Sequence, residues 1–335
     1  MTKSLSIAVR GAGVVGLWQA LTLARRGHSV SVYERTAQPF ASSCSVYAGA
    51  MLAPRCEEEN AEPVVGDLGR RGIEIWRETY PATIANGTLV LALARDRAEL
   101  DRFTRMTGGH RRLSPTELAV LEPGLGNRFA GGLFYAEEAH LAPEPALRFL
   151  LDAAIEAGVT FKLAEGEPPS GADLIIDCRG LGAKGDLPNL RGVRGERIVL
   201  RSREVKLTRA VRLLHPRFPL YVVPWGDGFY MIGATVIESE ETGPITLRSA
   251  LDLLSMAYAL DPAFAEAEIV QQGAGARPAF PDNRTRIIAR KGYIYVNGLY
   301  RHGFLLAPAL AELVADYLET GATHPEVFLA DSAQR

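Results

Sequence analysis

The stretch IAVRGAGVVG, residues 7–16, decides the fold of this chain. It joins a short apolar run to three glycines at G-x-G-x-x-G spacing, and apolar residues then recur at helical intervals over residues 14–26. A second strand-like run, residues 29–34, ends in the acidic Glu34. A strand, a glycine turn, a helix and an acid-terminated strand in this order predict one βαβ unit that binds a dinucleotide.

Each glycine of this motif has a separate physical role. Gly11 permits the tight turn, Gly13 lets the backbone approach a pyrophosphate, and Gly16 lets the helix pack closely on the strand. We expect the pyrophosphate at the helix N-terminus and the adenosine ribose against Glu34. The motif serves NAD and FAD alike, so the chemistry stays open at this point. The plainer alternative is a surface turn with a solvated Glu34.

Length and charge set broad limits on the function. A chain of 335 residues can form two domains with buried cores. Its 37 basic residues nearly balance its 39 acidic ones, which argues against nucleic acid or an anionic membrane surface as a partner. No apolar run approaches the roughly eighteen residues that a membrane span needs, so we expect a soluble protein.

The three cysteines give little sign of special chemistry. Cys44, Cys56 and Cys178 show neither C-x-x-C nor metal-ligand spacing. Reduced thiols in the cytoplasm are the simplest interpretation, and we expect no metal site.

The predicted strands indicate two intertwined domains. Residues 173–177 form an apolar run that stops at a glycine-rich turn, as a buried parallel strand does, and this run is expected to join the first sheet. Residues 194–236 instead contain short alternating segments typical of an antiparallel sheet. A last strand, glycine turn and helix follow over residues 293–319.

We therefore predict an α/β protein with a discontinuous Rossmann-like domain and an α+β substrate domain whose sheet is mostly antiparallel. The nucleotide-binding domain is assigned to residues 1–80, 140–190 and 289–335. The substrate-binding domain is assigned to residues 81–139 and 191–288.

Five further motifs, in this order, resemble the FAD-dependent D-amino-acid oxidase superfamily. They are AGAMLAP at 48–54, YVVP at 221–224, IGAT at 232–235, GARP at 275–278 and YRHGFLLAP at 300–308. Within that superfamily the chain is most similar to the glycine oxidases of bacterial thiamine biosynthesis. The resemblance covers nearly the whole chain and implies FAD, held non-covalently, as the cofactor.

The resemblance also implies an activity. A hydride would pass from Cα of glycine, or of another small amino acid such as sarcosine or D-alanine, to flavin N5. The imine would then give glyoxylate and ammonia, with O2 reduced to H2O2 and a role in thiamine biosynthesis. The alternative is an FAD-dependent dehydrogenase of D-amino acids or secondary amines that uses an acceptor other than oxygen. We also expect a homo-oligomer.

The substrate-binding residues implied by the resemblance are Tyr221, Arg277, Arg301 and Met51. A guanidinium can bind a carboxylate through two parallel hydrogen bonds, and a phenol can donate a third. Each residue also has a plainer interpretation. Arg277 could pair with a surface acid, Tyr221 could be a core aromatic, and Met51 could fill the core.

The cofactor-binding residues are expected on the glycine turn, the loop after Glu34 and the last helix. The backbone of the last helix's first turn would stabilise negative charge on the reduced flavin. The predicted set is Gly11, Gly13, Val14, Val15, Gly16, Glu34, Arg35, Ser43, Ser45, Gly49, Ala50, Met51, Gly180, Tyr300, Arg301, His302, Gly303, Phe304 and Leu305.

Three features depart from the family or stand apart from it. His302 occupies a position where asparagine is common, and we expect it to act through a hydrogen bond behind the site. Val236 stands where some relatives carry methionine, which leaves the pocket volume open. The acidic run Glu57-Glu58-Glu59 is interpreted as a solvated patch, with gating of the site as the alternative.

Overall fold

The computed structural model describes residues 4–165, 167–168 and 171–330, and two large sheets dominate that part of the chain. The strands are β1 (Ser6–Arg10), β2 (Ser29–Glu34), β3 (Met51–Leu52), β4 (Thr88–Ala92), β5 (Arg111–Leu113), β6 (Gly132–Tyr135), β7 (Ala139–His140), β8 (Thr160–Leu163), β9 (Leu174–Asp177), β10 (Arg191–Arg201), β11 (Ala210–Leu214), β12 (Leu220–Gly226), β13 (Phe229–Gly233), β14 (Ile237–Glu238), β15 (Glu268–Ala279), β16 (Arg286–Arg290), β17 (Tyr293–Asn297) and β18 (Phe328–Ala330). The helices are α1 (Val14–Arg25), α2 (Pro54–Glu57), α3 (Pro63–Thr79), α4 (Arg97–Met106), α5 (Pro115–Leu121), α6 (Pro143–Glu156), α7 (Leu247–Leu260) and α8 (Gly303–Thr320).

The first sheet has seven strands and carries the N-terminal glycine turn. Its order is β18-β16-β17-β9-β1-β2-β8, and β1 pairs in parallel with β2 on one side and with β9 on the other. The apolar residues of β1 and β9 are buried because helices cover both faces of a parallel sheet. The discontinuous Rossmann-like domain and the return of the 173–177 run to the first sheet are confirmed.

Helix α8 packs on α1 and α3 and begins earlier than its apolar pattern alone predicts. The apolar pattern indicates a helix over residues 309–319, the predicted flavin contacts place its first turn at Gly303, and the structure starts it at Gly303, so that Pro308 lies inside the helix. A proline has no N–H, so it leaves the carbonyl four residues earlier without its usual donor. The indole Nε1–H of Trp76 on α3 donates to that carbonyl, Phe304 O, at 2.7 Å.

The second sheet has nine strands and is mostly antiparallel, as expected. Its order is β14-β10-β13-β12-β11-β4-β6-β5, with β15 paired along β10, and β11 with β4 is a parallel pair. Its own apolar core lies beneath α5 and α7. The face that includes Gly195, Gly233 and Gly273 is turned toward residues 44–49 of the first domain.

The sheet topology argues against one of the predicted domain boundaries, the one between residues 288 and 289. Strand β16 begins at Arg286 and belongs to the seven-stranded sheet, so a boundary at 288/289 divides a strand. We propose that the boundary lies before Arg286, and the rest of the division stays a prediction. Across the described ranges, none of the helices is long and apolar enough to cross a membrane.

Candidate active site

The glycine turn between β1 and α1 leaves no room for side chains. Gly11 has φ +94°, and a Cβ there would lie 3.1 Å from the carbonyl oxygen of Cys178. A Cβ on Gly16 would lie 1.9 Å from the carbonyl oxygen of Gly11, which is why helix and strand approach so closely. A Cβ on Gly13 would lie 2.7 Å from Ser43 Oγ. Steric contacts therefore require glycine at all three positions, and the predicted approach of Gly13 to a pyrophosphate stays a prediction.

Two side chains complete the cradle around this turn. Glu34 is buried at the end of β2 and accepts a hydrogen bond from Ala12 N–H at 3.0 Å. Ser45 Oγ accepts one from Val14 N–H at 3.2 Å. The N-cap of α1 is Gly13, whose lack of a side chain leaves the other first-turn amides of α1 without a side-chain cap. Such amides suit a bound phosphate, so these residues fit the pyrophosphate of FAD.

A cavity of about 560 Å³ runs from this turn to the start of α8. Eleven predicted cofactor-binding residues line it: Gly11, Gly13, Val14, Val15, Glu34, Arg35, Ser43, Ser45, Gly180, Tyr300 and Gly303. Eight others do not line it: Gly16, Gly49, Ala50, Met51, Arg301, His302, Phe304 and Leu305. Gly16 lies beneath the turn, whereas the last four belong to the segment that continues from Tyr300 into α8.

Cys44 also lines this cavity, where sequence reasoning had placed no cysteine. Its burial raises the pKa of the thiol, more strongly than the nearby positive charge of Arg277 lowers it. A protonated thiol is a poor nucleophile, which is consistent with non-covalent FAD, still a prediction.

The start of α8 is a second helix N-terminus beside the cavity. His302 is the N-cap residue and its side chain caps no amide, so the first-turn amides are free of side-chain acceptors. Gly303 lines the cavity, while Phe304 and Leu305 are buried beneath it. Developing negative charge placed here would be stabilised, as the sequence predicted for this turn.

Arg277 on β15 is a partly buried cation without a carboxylate partner among the described residues. Its Nη1 donates to the carbonyl oxygen of Thr235 at 3.1 Å. Burial lowers the pKa of Arg277 to about 10, and the like charge of Arg301 contributes to the same shift. Gly195 makes room for the guanidinium, because a Cβ there would lie 1.9 Å from Nη2. The group stays protonated at neutral pH, and it lines neither of the two cavities described in this section.

Tyr221 lies between two other arginines. Arg301 Nη2 donates to Tyr221 Oη, and the Arg301 guanidinium also lies over the ring, 5.5 Å from its centroid. The guanidinium of Arg212 lies 5.2 Å from the same centroid. Of the predicted substrate residues, the structure thus brings Tyr221 and Arg301 into contact and places Arg277 within electrostatic reach of both.

The prediction of a solvated acidic patch is wrong for Glu57 and Glu59. Glu57 Oε1 lies 3.4 Å from Arg301 Nη2, and its Oε2 lies 3.0 Å from His302 Nε2. Burial alone would raise the pKa of Glu57, but Arg301 and the hydrogen bond from His302 together hold it well below its usual range. Glu59 is buried in an ion pair with Arg212. His302 was expected to act through a hydrogen bond behind the site, and the structure shows a hydrogen bond between His302 and Glu57.

Glu57 and Arg212 were missed by sequence reasoning. Arg212 stands in the apolar strand AVRLL, residues 210–214, and a charged residue there needs an acid to pair with. That signal was present, but the partner lies about 150 residues earlier in the chain and only the fold reveals it.

Met51 is predicted to contact the flavin, and that contact stays a prediction. Met51 on β3 is half-buried and packs against an apolar cluster that includes Ala53, Leu100 and Tyr135. It lines neither the 560 Å³ cavity nor a second cavity of about 390 Å³. The core-filling alternative therefore agrees with its surroundings in this structure.

The second cavity lies on the other side of Tyr300, which lines both. Glu57, Val236, Arg301 and His302 form part of its wall. Within the described ranges, no group of three or more histidine, cysteine, aspartate or glutamate side chains is arranged to hold a metal ion. The site combines cations, a phenol and helix termini, which are groups that bind anions and orient a substrate, with the carboxylate of Glu57.

Comparisons with known proteins agree with this site. Residues 6–317 match a family described as FAD dependent oxidoreductase, DAO. A Rhizobium etli protein with the provisional name thiamine biosynthesis oxidoreductase ThiO is 48% identical over 324 residues, which are 96% of this chain and 99% of that protein. The D-amino-acid oxidase of Rubrobacter xylanophilus is 31% identical over 310 residues, 88% of this chain and 89% of that enzyme.

Solved structures show the same fold. The crystal structure of glycine oxidase from Geobacillus kaustophilus superimposes with a TM-score of 0.80 at 24% identity, covering 95% of each chain. Because the family match spans most of the sequence and agrees with the cradle at the glycine turn, this chain belongs to the DAO family of FAD dependent oxidoreductases.

Proposed function

We propose that the protein oxidises glycine, or another small amino acid such as sarcosine or D-alanine, at the Cα–N bond. The observation that carries this proposal is the partly buried Arg277 guanidinium, which has one backbone carbonyl as its hydrogen-bond partner among the described residues and lies within electrostatic reach of Tyr221 and Arg301. A cation without an acidic partner in a partly buried place is costly unless a ligand neutralises it, and an amino-acid carboxylate has the right charge and shape.

The residues of this chain have binding and orienting roles in the proposed reaction. Arg277 binds the carboxylate, and the Tyr221 hydroxyl, held by Arg301, fixes the other side of the substrate. Bound FAD supplies the acceptor for the hydride that leaves Cα. Because the amine reacts in its neutral form, the site needs no strong base at Cα, and orientation provides much of the rate enhancement.

The products follow from this chemistry. Loss of a hydride from neutral glycine gives the protonated imine, which water converts to glyoxylate and ammonium, and the two electrons together with two protons reduce O2 to H2O2. The names of the relatives in Rhizobium etli and Geobacillus kaustophilus support the substrate class and a role in thiamine biosynthesis. A non-oxygen acceptor stays the alternative, and the cytoplasmic location and homo-oligomeric state stay predictions.

One experiment tests the proposal. The visible flavin spectrum of the purified protein is recorded, and glycine, sarcosine and D-alanine are then added without oxygen. We expect bleaching by at least one of them, followed by peroxide formation when air is admitted. A flavin that none of these compounds reduces contradicts the proposal. Reduction without peroxide, restored by an artificial dye, favours the dehydrogenase.

A further inference from the structure

We propose that Glu57 is a specificity-determining residue, which restricts this site to substrates that carry a single carboxylate. The inference rests on the proposed function, because it concerns which carboxylates reach Arg277. It is carried by the position of Glu57, whose two carboxylate oxygens contact Arg301 and His302. An acidic side chain thus stands among the cations that would otherwise attract anions.

The charged side chains around Tyr221 include one arginine, Arg277, that has no acidic partner among the described residues. Arg277 and Arg301 are close enough to repel one another, and Glu57 compensates the charge of Arg301. The third guanidinium near Tyr221, Arg212, is paired with the buried Glu59. Without His302 and the half-exposed Arg102, which also contacts Glu59, these five groups sum to a single positive charge. One substrate carboxylate balances that charge, whereas two leave an uncompensated negative charge in a partly buried place.

The position of Glu57 is fixed by its neighbours on the one-turn helix α2. Cys56 N–H donates to the buried carboxylate of Glu138 at 2.8 Å, and Cys56 O accepts from Arg212 Nη1 at 3.1 Å. These bonds fix the backbone beside Glu57, and its contacts with Arg301 and His302 hold the carboxylate itself in place. A second carboxylate entering near Arg301 meets a negative charge that is held in place.

Among its described residues, the outer part of the 390 Å³ cavity offers no free positive charge that could balance a second carboxylate. Its wall includes the acidic residues Glu62, Asp282 and Glu326, and its one arginine besides Arg301 is Arg284, which pairs with Glu62 at 2.8 Å. A dicarboxylate would thus be disfavoured in the cavity as well as beside Glu57, because like charges in a partly buried site repel strongly.

The test compares two ligands that differ only in charge. Diglycolate carries two carboxylates, its monoamide carries one, and neither has an amine to oxidise. Dissociation constants for both are measured with the FAD-loaded protein by calorimetry and by perturbation of the flavin spectrum. In the wild type we expect the monoamide to bind at least about tenfold more tightly, the change that roughly 1.4 kcal/mol produces.

Glu57→Gln removes the negative charge and keeps the shape. We expect this variant to improve diglycolate binding relative to the monoamide by about tenfold or more. Glu58→Gln is the matched control, because Glu58 points to Arg55 and Gly108 N–H and lines neither cavity, and its ligand preference should equal the wild type's.

The outcomes separate this inference from the proposed function. Equal binding of both ligands by the wild type, or no binding of either, overturns the role of Glu57 whether or not the variant folds. An unchanged preference in a folded, FAD-loaded Glu57→Gln protein also overturns it. Failure to oxidise any amino acid contradicts the proposed function alone, because ligand binding is measured without turnover.

Discussion

The indole N–H of Trp76 replaces the backbone donor that Pro308 lacks, by donating to the carbonyl oxygen of Phe304 inside α8. This bond joins α3 to the first turn of α8, the turn whose amides face the proposed flavin position. The ring of Trp76 also stacks on that of Phe304, with centroids 6.0 Å apart.

Trp76→Phe should destabilise the protein by about 1–3 kcal/mol beyond the loss of packing, because a buried carbonyl is left without a donor. Trp18→Phe is the matched control: Trp18 is as deeply buried, but its Nε1 has no hydrogen-bond partner among the described residues. Free energies of unfolding from urea titration provide the measurement. Equal losses in the two variants would show that the Trp76 bond contributes nothing specific.

Arg277→Gln should lower kcat/KM for the best small amino acid by a factor of about 10 to 100, because a charge-assisted hydrogen bond to the carboxylate is lost. FAD content should be unchanged. Arg201→Gln, an exposed arginine at the end of β10, serves as control and should behave like the wild type. Loss of flavin together with an unchanged KM per bound flavin would assign Arg277 to the cofactor instead.

Gly195→Ala tests whether the small residue on β10 sets the position of Arg277. An added Cβ would overlap the guanidinium, so that Arg277 must shift while the backbone of the sheet stays in place. We expect KM to rise several-fold with little change in thermal stability. Gly185→Ala is the control, because nothing lies within 4 Å of a Cβ there. A KM equal to the wild type's means that the guanidinium is not held where the structure has it.

Glu34→Ala should weaken FAD binding by about tenfold or more, since the carboxylate both accepts from Ala12 N–H and lines the nucleotide cavity. Reconstitution of the apoprotein, followed by flavin fluorescence, gives the dissociation constant. The exposed Glu156→Ala at the end of α6 provides the comparison. If Glu34→Ala binds FAD as tightly as the wild type does, Glu34 does not contribute to cofactor binding.

Burial raises the pKa of Glu138 from its ordinary 4.5 to about 7. The folded protein therefore holds this proton more tightly than the unfolded chain does. The resulting stabilisation is complete below pH 4.5 and is lost as pH rises toward 7. Relative to Glu138→Gln, the wild type should lose on the order of 3 kcal/mol of stability between pH 4.5 and pH 8. If the free energies of unfolding of the two proteins change in the same way between pH 4.5 and pH 8, the pKa of Glu138 is not raised.

The sequence predicts the nucleotide half of the molecule well because its signals are local. The three glycines, the apolar run of β1 and the acid that ends β2 all lie within thirty residues, and each has a steric or electrostatic reason that holds in any surroundings. The same is true of the capping box that Ser114 and Glu117 form at the start of α5.

The residues that sequence reasoning missed depend on contacts between distant segments. Glu57 looks like one acid in a solvated run, and Arg212 like an isolated charge in a strand. Their burial follows from the docking of α2 against β11 and against the start of α8, which no local pattern encodes. Apolar periodicity alone places the start of α8 after Pro308 for a similar reason, since Trp76 supplies the donor that Pro308 lacks.

The place of β1 in the middle of its sheet affects how the protein is made. On the ribosome, β1 and β2 emerge before β9, which follows about 140 residues later, and before β17, which follows more than 100 residues after that. Pairings between such distant segments form slowly, so the residues around the glycine turn assemble late in folding. The glycine motif therefore becomes a complete binding site only after α8 has been made and has docked.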